Sequence, residues 1–298
     1  MTPCLPAAPL SVLLVLMDDM RADQLSVFTE TLSRVEDHAQ VYERAYVTTP
    51  MCCPDRASLL SGGYAAPQHG ELSNSGSYGG AHRFDDQRTL ATRLQEVGFH
   101  TALLGKYMNG YDALEPYVPP GWSFWWGWLD EQPWVGFEVV EGTSTSTASG
   151  VGQRTPYAAY VVDAQRAAAL RTLSALEPET PSFLYLTFLA PHSPHTPAST
   201  DAGAYADFVY RGGAFMEADV SDKPAWLQAW PVLDDDAQAA ADLDHQQQLE
   251  SLLSVDRAVA AILDQLTTLG RRESTLLILT SDNGMMWGEH RLFDKGYA

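Results

Sequence analysis

Residues 52 to 62 read Cys-Cys-Pro-Asp-Arg-Ala-Ser-Leu-Leu-Ser-Gly, which places a cysteine just ahead of a helix whose first turn holds a proline. Pro54 suits that turn, because the N–H it lacks would have no partner there anyway. The free N–H groups and positive dipole end of the helix then face Cys52, and Arg56 adds a fixed guanidinium one turn further in. Such a spot attracts an anion. The cysteine has two readings: a thiolate whose pKa is lowered by the same field, or a buried structural thiol.

The elements that must position this segment announce themselves as four short apolar runs, Ser11–Met17, His100–Leu104, Ser182–Leu189 and Thr275–Thr280, each of which predicts a buried strand. Apolar residues at helical spacing predict helices over Arg21–Ala39, Thr89–Val97, Tyr157–Leu176 and Gln246–Leu269, with Gly98 and Gly270 at C-terminal caps. The alternation implies an α/β layered fold around a mostly parallel sheet. The residues just past the four strands are informative: Asp18-Asp19, then Lys106, then His192, then Asp282-Asn283. Ligands of open α/β sheets bind outside the carboxyl ends of the strands, so four strand ends deliver charged or metal-capable groups to one edge. Thr143–Gly152, rich in Ser, Thr and Gly, reads as a surface loop. The dense aromatic stretch of Trp122, Trp125, Trp126, Trp128 and Trp134 reads as loop packing ahead of sugar stacking. Asp234–Asp236 read as solvated residues at a helix start.

Composition sets the outer limits. In 298 residues, 18 Lys and Arg face 38 Asp and Glu, a formal charge of −20 that repels nucleic acid along its whole approach. Cys4, Cys52 and Cys53 are too few and too oddly spaced for a disulfide scaffold. The run Leu10–Met17 is too short to cross a bilayer and leads into two aspartates, not a cleavage site. No membrane partner and, by default, a cytoplasmic location are expected.

The pattern Cys-x-Pro-x-Arg, continued by x-x-Leu-x-Ser-Gly, resembles the signature of the formylglycine-dependent sulfatases, within the alkaline-phosphatase superfamily. Val15–Met20 with its aspartate pair, Ala45–Pro50, Thr101–Lys106 and Thr280–Gly284 extend the resemblance over nearly the whole chain. The double cysteine, Gly105–Tyr111 and Tyr117–Trp122 are similar to the glucosamine-6-sulfatase and heparan endosulfatase branch. The resemblance implies a three-layer α/β/α sandwich acting as a sulfuric ester hydrolase. It implies that Cys52 is oxidised to formylglycine by a formylglycine-generating enzyme, and that Asp18, Asp19, Asp282 and Asn283, with the modified Cys52, hold one calcium ion. An all-oxygen set of this kind suits calcium or magnesium and not zinc. It also implies that Lys106, His192 and Lys295 bind the sulfate, that Arg56 anchors the nucleophile, and that His195 and His69 lie near the substrate. A hydrated aldehyde has two hydroxyls, so one can attack sulfur and the other can expel sulfate afterwards, which a serine could not do.

Asp55 departs from the serine or alanine usual at its position, and Met108 stands where many arylsulfatases carry a histidine. Residues 1–298 are expected to form the N-terminal part of a sulfatase catalytic domain, with Lys295 close to the end of the sequence, where fraying is expected. A small sulfated sugar or aryl sulfate is the expected substrate. Rival expectations are a phosphonate monoester or phosphodiester hydrolase, and a non-catalytic anion- or glycan-binding remnant.

Overall fold

The computed structural model describes residues 10–64 and 72–296. Seven strands form one sheet: β1 Ser11–Asp18, β2 His100–Gly105, β3 Phe124–Trp128, β4 Val135–Gly142, β5 Gln153–Tyr160, β6 Ser182–Pro191 and β7 Thr275–Ser281, in the order β5-β4-β3-β2-β6-β1-β7. β3, β2, β6, β1 and β7 run parallel, while β4 and β5 add an antiparallel margin. The main helices are α1 Cys52–Ser61, α2 Leu90–Glu96, α3 Val161–Ala175 and α4 Asp235–Thr268.

Strand periodicity divides the core in two. Leu13, Val15 and Met17 of β1 face α3 and α4, whereas Leu14 and Leu16 face α1 and α2 with Cys53, Ala57, Leu60 and Ala91. A central strand buried on both faces needs a continuous apolar run, which explains why β1, β2 and β6 were readable from sequence. The result is a helix–sheet–helix sandwich, as expected.

Four expectations need correction. The helix expected over Arg21–Ala39 is only a 3₁₀ turn at Ala22–Val27 and one α-turn at Thr29–Leu32. Val27 and Phe28 are buried in the core and Leu25, Leu32 and Val35 pack against it, but the segment does so as two short turns, the second held by Asp256 of α4, whose carboxylate accepts the N–H groups of Glu30 and Thr31 at 2.8 and 2.7 Å. The helix expected from Tyr157 begins at Val161, because the residues before it pair with β4. The aromatic stretch is not a loop but carries β3, and all five tryptophans are buried, Trp126 and Trp128 on one face of the sheet and Trp122 and Trp125 on the other. α4 starts earlier than expected, at Asp235, where the Asp234 side chain caps Ala237 N at 2.9 Å.

Candidate active site

The carboxyl ends of β1, β2, β6 and β7 and the start of α1 converge on one point. Asp18 and Asp19 would point to opposite faces in a regular strand, but Asp19 adopts φ 73, a left-handed turn that lets both carboxylates serve the same site. Asp282 reaches back from β7 and accepts Asp19 N–H through Oδ1 at 3.1 Å. Asn283 Nδ2 donates to Asp19 Oδ1 at 2.8 Å. At the end of β2, Gly105 has φ +124, and a Cβ there would sit 1.9 Å from the Thr187 carbonyl oxygen, so only glycine lets β2 lie against β6 before Lys106 turns inward.

Cys52 opens α1, and its Sγ lies 3.1 Å from Asp18 Oδ1 and 3.1 Å from Lys295 Nζ. Lys106 Nζ donates to Asp18 Oδ2, and Lys295 Nζ donates to Asp19 Oδ1. Arg56 is a fully buried strut: Nε donates to Asp282 Oδ2 at 2.8 Å, and Nη1 donates to the Lys106 carbonyl at 2.8 Å and to Thr187 Oγ1 at 2.5 Å. His192 is the most open member, with Nδ1 2.8 Å from the Ser193 carbonyl and Nε2 3.7 Å from Asp19 Oδ2. The site therefore gathers Asp18, Asp19, Cys52, Arg56, Lys106, His192, Asp282, Asn283 and Lys295.

His195 follows on the turn after His192, its N–H donating to the His192 carbonyl at 3.1 Å, and is buried with Nδ1 2.6 Å from the Pro191 carbonyl. Met108 is buried in the core beside α1. His69 lies outside the described residues. Cys53 is not in the pocket; its N–H donates to Asn74 Oδ1 at 2.9 Å and its Sγ accepts Asn109 N–H at 3.2 Å. Sequence reasoning missed Thr187, although a threonine in the middle of the apolar run of β6 was a usable signal.

Electrostatics corrects the thiolate expectation. Burial, and then the Asp18 carboxylate, push the Cys52 thiol up, outweighing the opposing Lys106 ammonium. Burial also opposes ionisation of Asp18, but Lys106, His192, Arg56 and Lys295 together hold its carboxyl well below the usual range. Asp19, buried beside Asp18, is raised to about 6. Asp55 is raised to about 8 by burial and by Asp282.

These residues suit a cation. Ligand atoms of Asp18, Asp19, Cys52 and His192 lie within 4.8 Å of one another. Asn283 Oδ1 is buried with no hydrogen-bond partner, which is what an amide oxygen kept for a metal would show. The arrangement can hold a divalent cation beside Cys52.

Comparison with known proteins agrees with this geometry. Residues 11–298 match the sulfatase family, and the chain belongs to it. It is 27% identical to the extracellular sulfatase SULF-1 homolog of Drosophila melanogaster over 95% of this chain and 25% of that protein. It is 25% identical to the N-acetylglucosamine-6-sulfatase of Homo sapiens over 95% of this chain and 52% of that one. The chain thus spans between a quarter and about half of the length of these relatives. A solved structure in complex with its substrate D-glucosamine-2-N,6-O-disulfate shares the fold, with a TM-score of 0.74 and 18% identity over 97% of this chain and 68% of that one. The relatives place the chain beside the glucosamine-6-sulfatase and extracellular sulfatase branch. They also correct the default of a cytoplasmic location, since a matched relative is named for an extracellular one. Among the described residues, no helix is long and apolar enough to cross a membrane.

Proposed function

We propose that this chain hydrolyses sulfate esters, taking a small sulfated sugar or an aryl sulfate where Cys52 meets Lys295. One observation carries the reading: Cys52 Sγ stands 3.1 Å from both the Asp18 carboxylate and the Lys295 ammonium. The nucleophile position is flanked by an acidic, cation-holding side and a basic, anion-holding side. Cys52 is the cysteine converted by a formylglycine-generating enzyme, because only it has Pro54 and Arg56 at the signature offsets. The modified side chain supplies paired hydroxyls, one to attack sulfur and one to release it. Asp18, Asp19, Asp282 and Asn283 hold calcium, or magnesium instead, and a bound divalent ion supplies Lewis-acid polarisation.

The remaining work falls to the chain's own side chains. Lys106 and Lys295 neutralise the sulfuryl oxygens as charge builds on them. His192, with Nδ1 committed to the Ser193 carbonyl, presents Nε2 to the leaving alcohol. Arg56 fixes Asp282 and the Lys106 backbone in place, so neither has to reorganise during the reaction. A sugar substrate is supported by the relative named as an N-acetylglucosamine-6-sulfatase and by the glucosamine disulfate in the similar structure.

The test joins peptide mass analysis at Cys52 with turnover of an aryl sulfate and of a matched phosphodiester. An aldehyde at Cys52 and faster sulfate turnover are expected. Faster phosphodiester turnover would move the reading to a phosphonate monoester or phosphodiester hydrolase. An unmodified thiol without turnover would leave a non-catalytic anion-binding chain.

A further inference from the structure

Lys295 reaches Cys52 from a small hairpin and not from the sheet, so something must hold that hairpin. Its strands, β8 Met286–Trp287 and β9 Phe293–Asp294, pair Met286 with Asp294 and Trp287 with Phe293, and Lys295 comes directly after them. Two ladder pairs alone fix an isolated hairpin poorly in water. Arg21, two residues beyond Asp19, grips it from the other side of the site. Its guanidinium lies over the Trp287 ring at 4.7 Å and the Tyr210 ring at 5.0 Å. Nη1 donates to the Met285 carbonyl at 2.9 Å and pairs with Glu289 Oε1 at 2.9 Å. Glu289 in turn accepts Trp287 N–H at 2.6 Å and the Tyr210 hydroxyl. Asp23 holds the outer edge of the guanidinium at 3.0 and 2.9 Å. Trp287 is seated on α4 by its Nε1–H to Gln248 Oε1 at 3.0 Å and by stacking on His245 at 4.2 Å.

We propose that Arg21 is a positioning residue that holds Lys295 against Cys52. It ties the strand end carrying Asp18 and Asp19 to the base of the hairpin carrying Lys295, so that carboxylates and ammonium keep one spacing. Arg21 itself touches none of the groups assigned to the reaction. A lysine could not replace it in full, because the fork must serve Asp23, Glu289 and the Met285 carbonyl together. The mechanistic consequence rests on the proposed sulfatase reading, but the positioning can be measured without turnover.

The experiment follows amine labelling of individual lysines by mass spectrometry in the full chain, alongside aryl sulfate turnover. In the unaltered protein, Lys295 and Lys106 both label slowly. Arg21→Gln removes an ion pair and a cation–π contact, and is expected to speed Lys295 labelling roughly tenfold while Lys106 stays slow. Arg21→Lys should fall between the two. Should Arg21→Gln loosen the whole fold, Lys106 will accelerate as well, and Glu289→Gln then gives the decisive reading with Arg21 in place. Lys295 labelling unchanged in both variants, or Lys106 accelerating in step with it in both, overturns the proposal. Absence of sulfate turnover in the unaltered protein refutes the sulfatase reading and leaves the labelling result standing.

Discussion

The floor and the wall of the site are built on different principles. Asp18, Lys106, Asp282 and Arg56 form the floor, rooted in β1, β2, β7 and α1, and the Asp18, Asp282 and Arg56 side chains are 0% exposed. His192 and Lys295 form the wall, on a loop and a hairpin, with side chains 28% and 12% exposed. Floor residues are held by the sheet and by buried ion pairs, so removing one leaves an uncompensated charge inside the protein. Wall residues meet water and are held by contacts that can open locally. Floor substitutions should therefore damage fold and reaction together, and wall substitutions the reaction alone.

The largest expected effect falls where floor and wall meet. Cys52→Ala should lower aryl sulfate turnover by about a thousandfold or more, measured as kcat, because no group remains to form the covalent intermediate. Its melting temperature should stay near that of the unaltered chain. Asp282→Ala comes next. It strips Arg56 of its 2.8 Å partner, and breaking a buried pair costs about 3–5 kcal/mol. Denaturant unfolding should show that loss, and elemental analysis should show weaker retention of added calcium or magnesium. Full stability in this variant would mean that the floor is not held by its ion pairs.

A sharper test sets one lysine against the other. Lys106→Met leaves Asp18 without its nearest cation in a buried setting and should cost about 3 kcal/mol as well as activity. Lys295→Met removes a pair that lies nearer the surface, on a hairpin that can adjust, and should cost less, about 1–2 kcal/mol, with turnover falling all the same. Equal stability losses in the two variants would erase the distinction between floor and wall.

The same division governs what the sequence could reveal. β1, β2 and β6 were legible because strands within a parallel sheet need unbroken apolar runs, β7 carries such a run although it lies at the margin of the sheet with Leu276 and Ile278 exposed, and the groups after all four were legible because such sheets bind ligands at that edge. β3 was missed because its tryptophans pack on both faces, which erases the alternation that marks a strand beside solvent. β5 was missed because its pairing with β4 is a tertiary event, and the run just after it carries a helical period. On the wall, Lys295 was reached only through family resemblance, and Arg21 not at all, since the partners that tie it to the hairpin, Met285, Trp287 and Glu289, and the neighbouring Tyr210 lie more than 180 positions away in the chain. The lowered Cys52 pKa failed for a different reason: helix position is local and visible, whereas the burial and the Asp18 carboxylate that raise it are not.

The smallest expected effect concerns the neighbouring cysteine. Cys53 adjoins Cys52 in sequence, yet a helix turns successive side chains about 100° apart, and Cys53 points into the core with Ala57 and Leu60. Its Sγ accepts Asn109 N–H at 3.2 Å and lies 3.5 Å from Asn109 Oδ1, so it links α1 to the loop after β2. A serine hydroxyl can accept the same N–H and donate to the same amide oxygen, while its smaller size leaves a slight gap. Cys53→Ser should therefore cost only about 1 kcal/mol in denaturant unfolding, with aryl sulfate turnover within a factor of about two of the unaltered chain. Formylglycine should still form at Cys52, because the proline and arginine offsets are untouched. Loss of the aldehyde or of turnover in this variant would show that the second cysteine takes part in maturation or in the site, and that the boundary between core and floor lies elsewhere on α1.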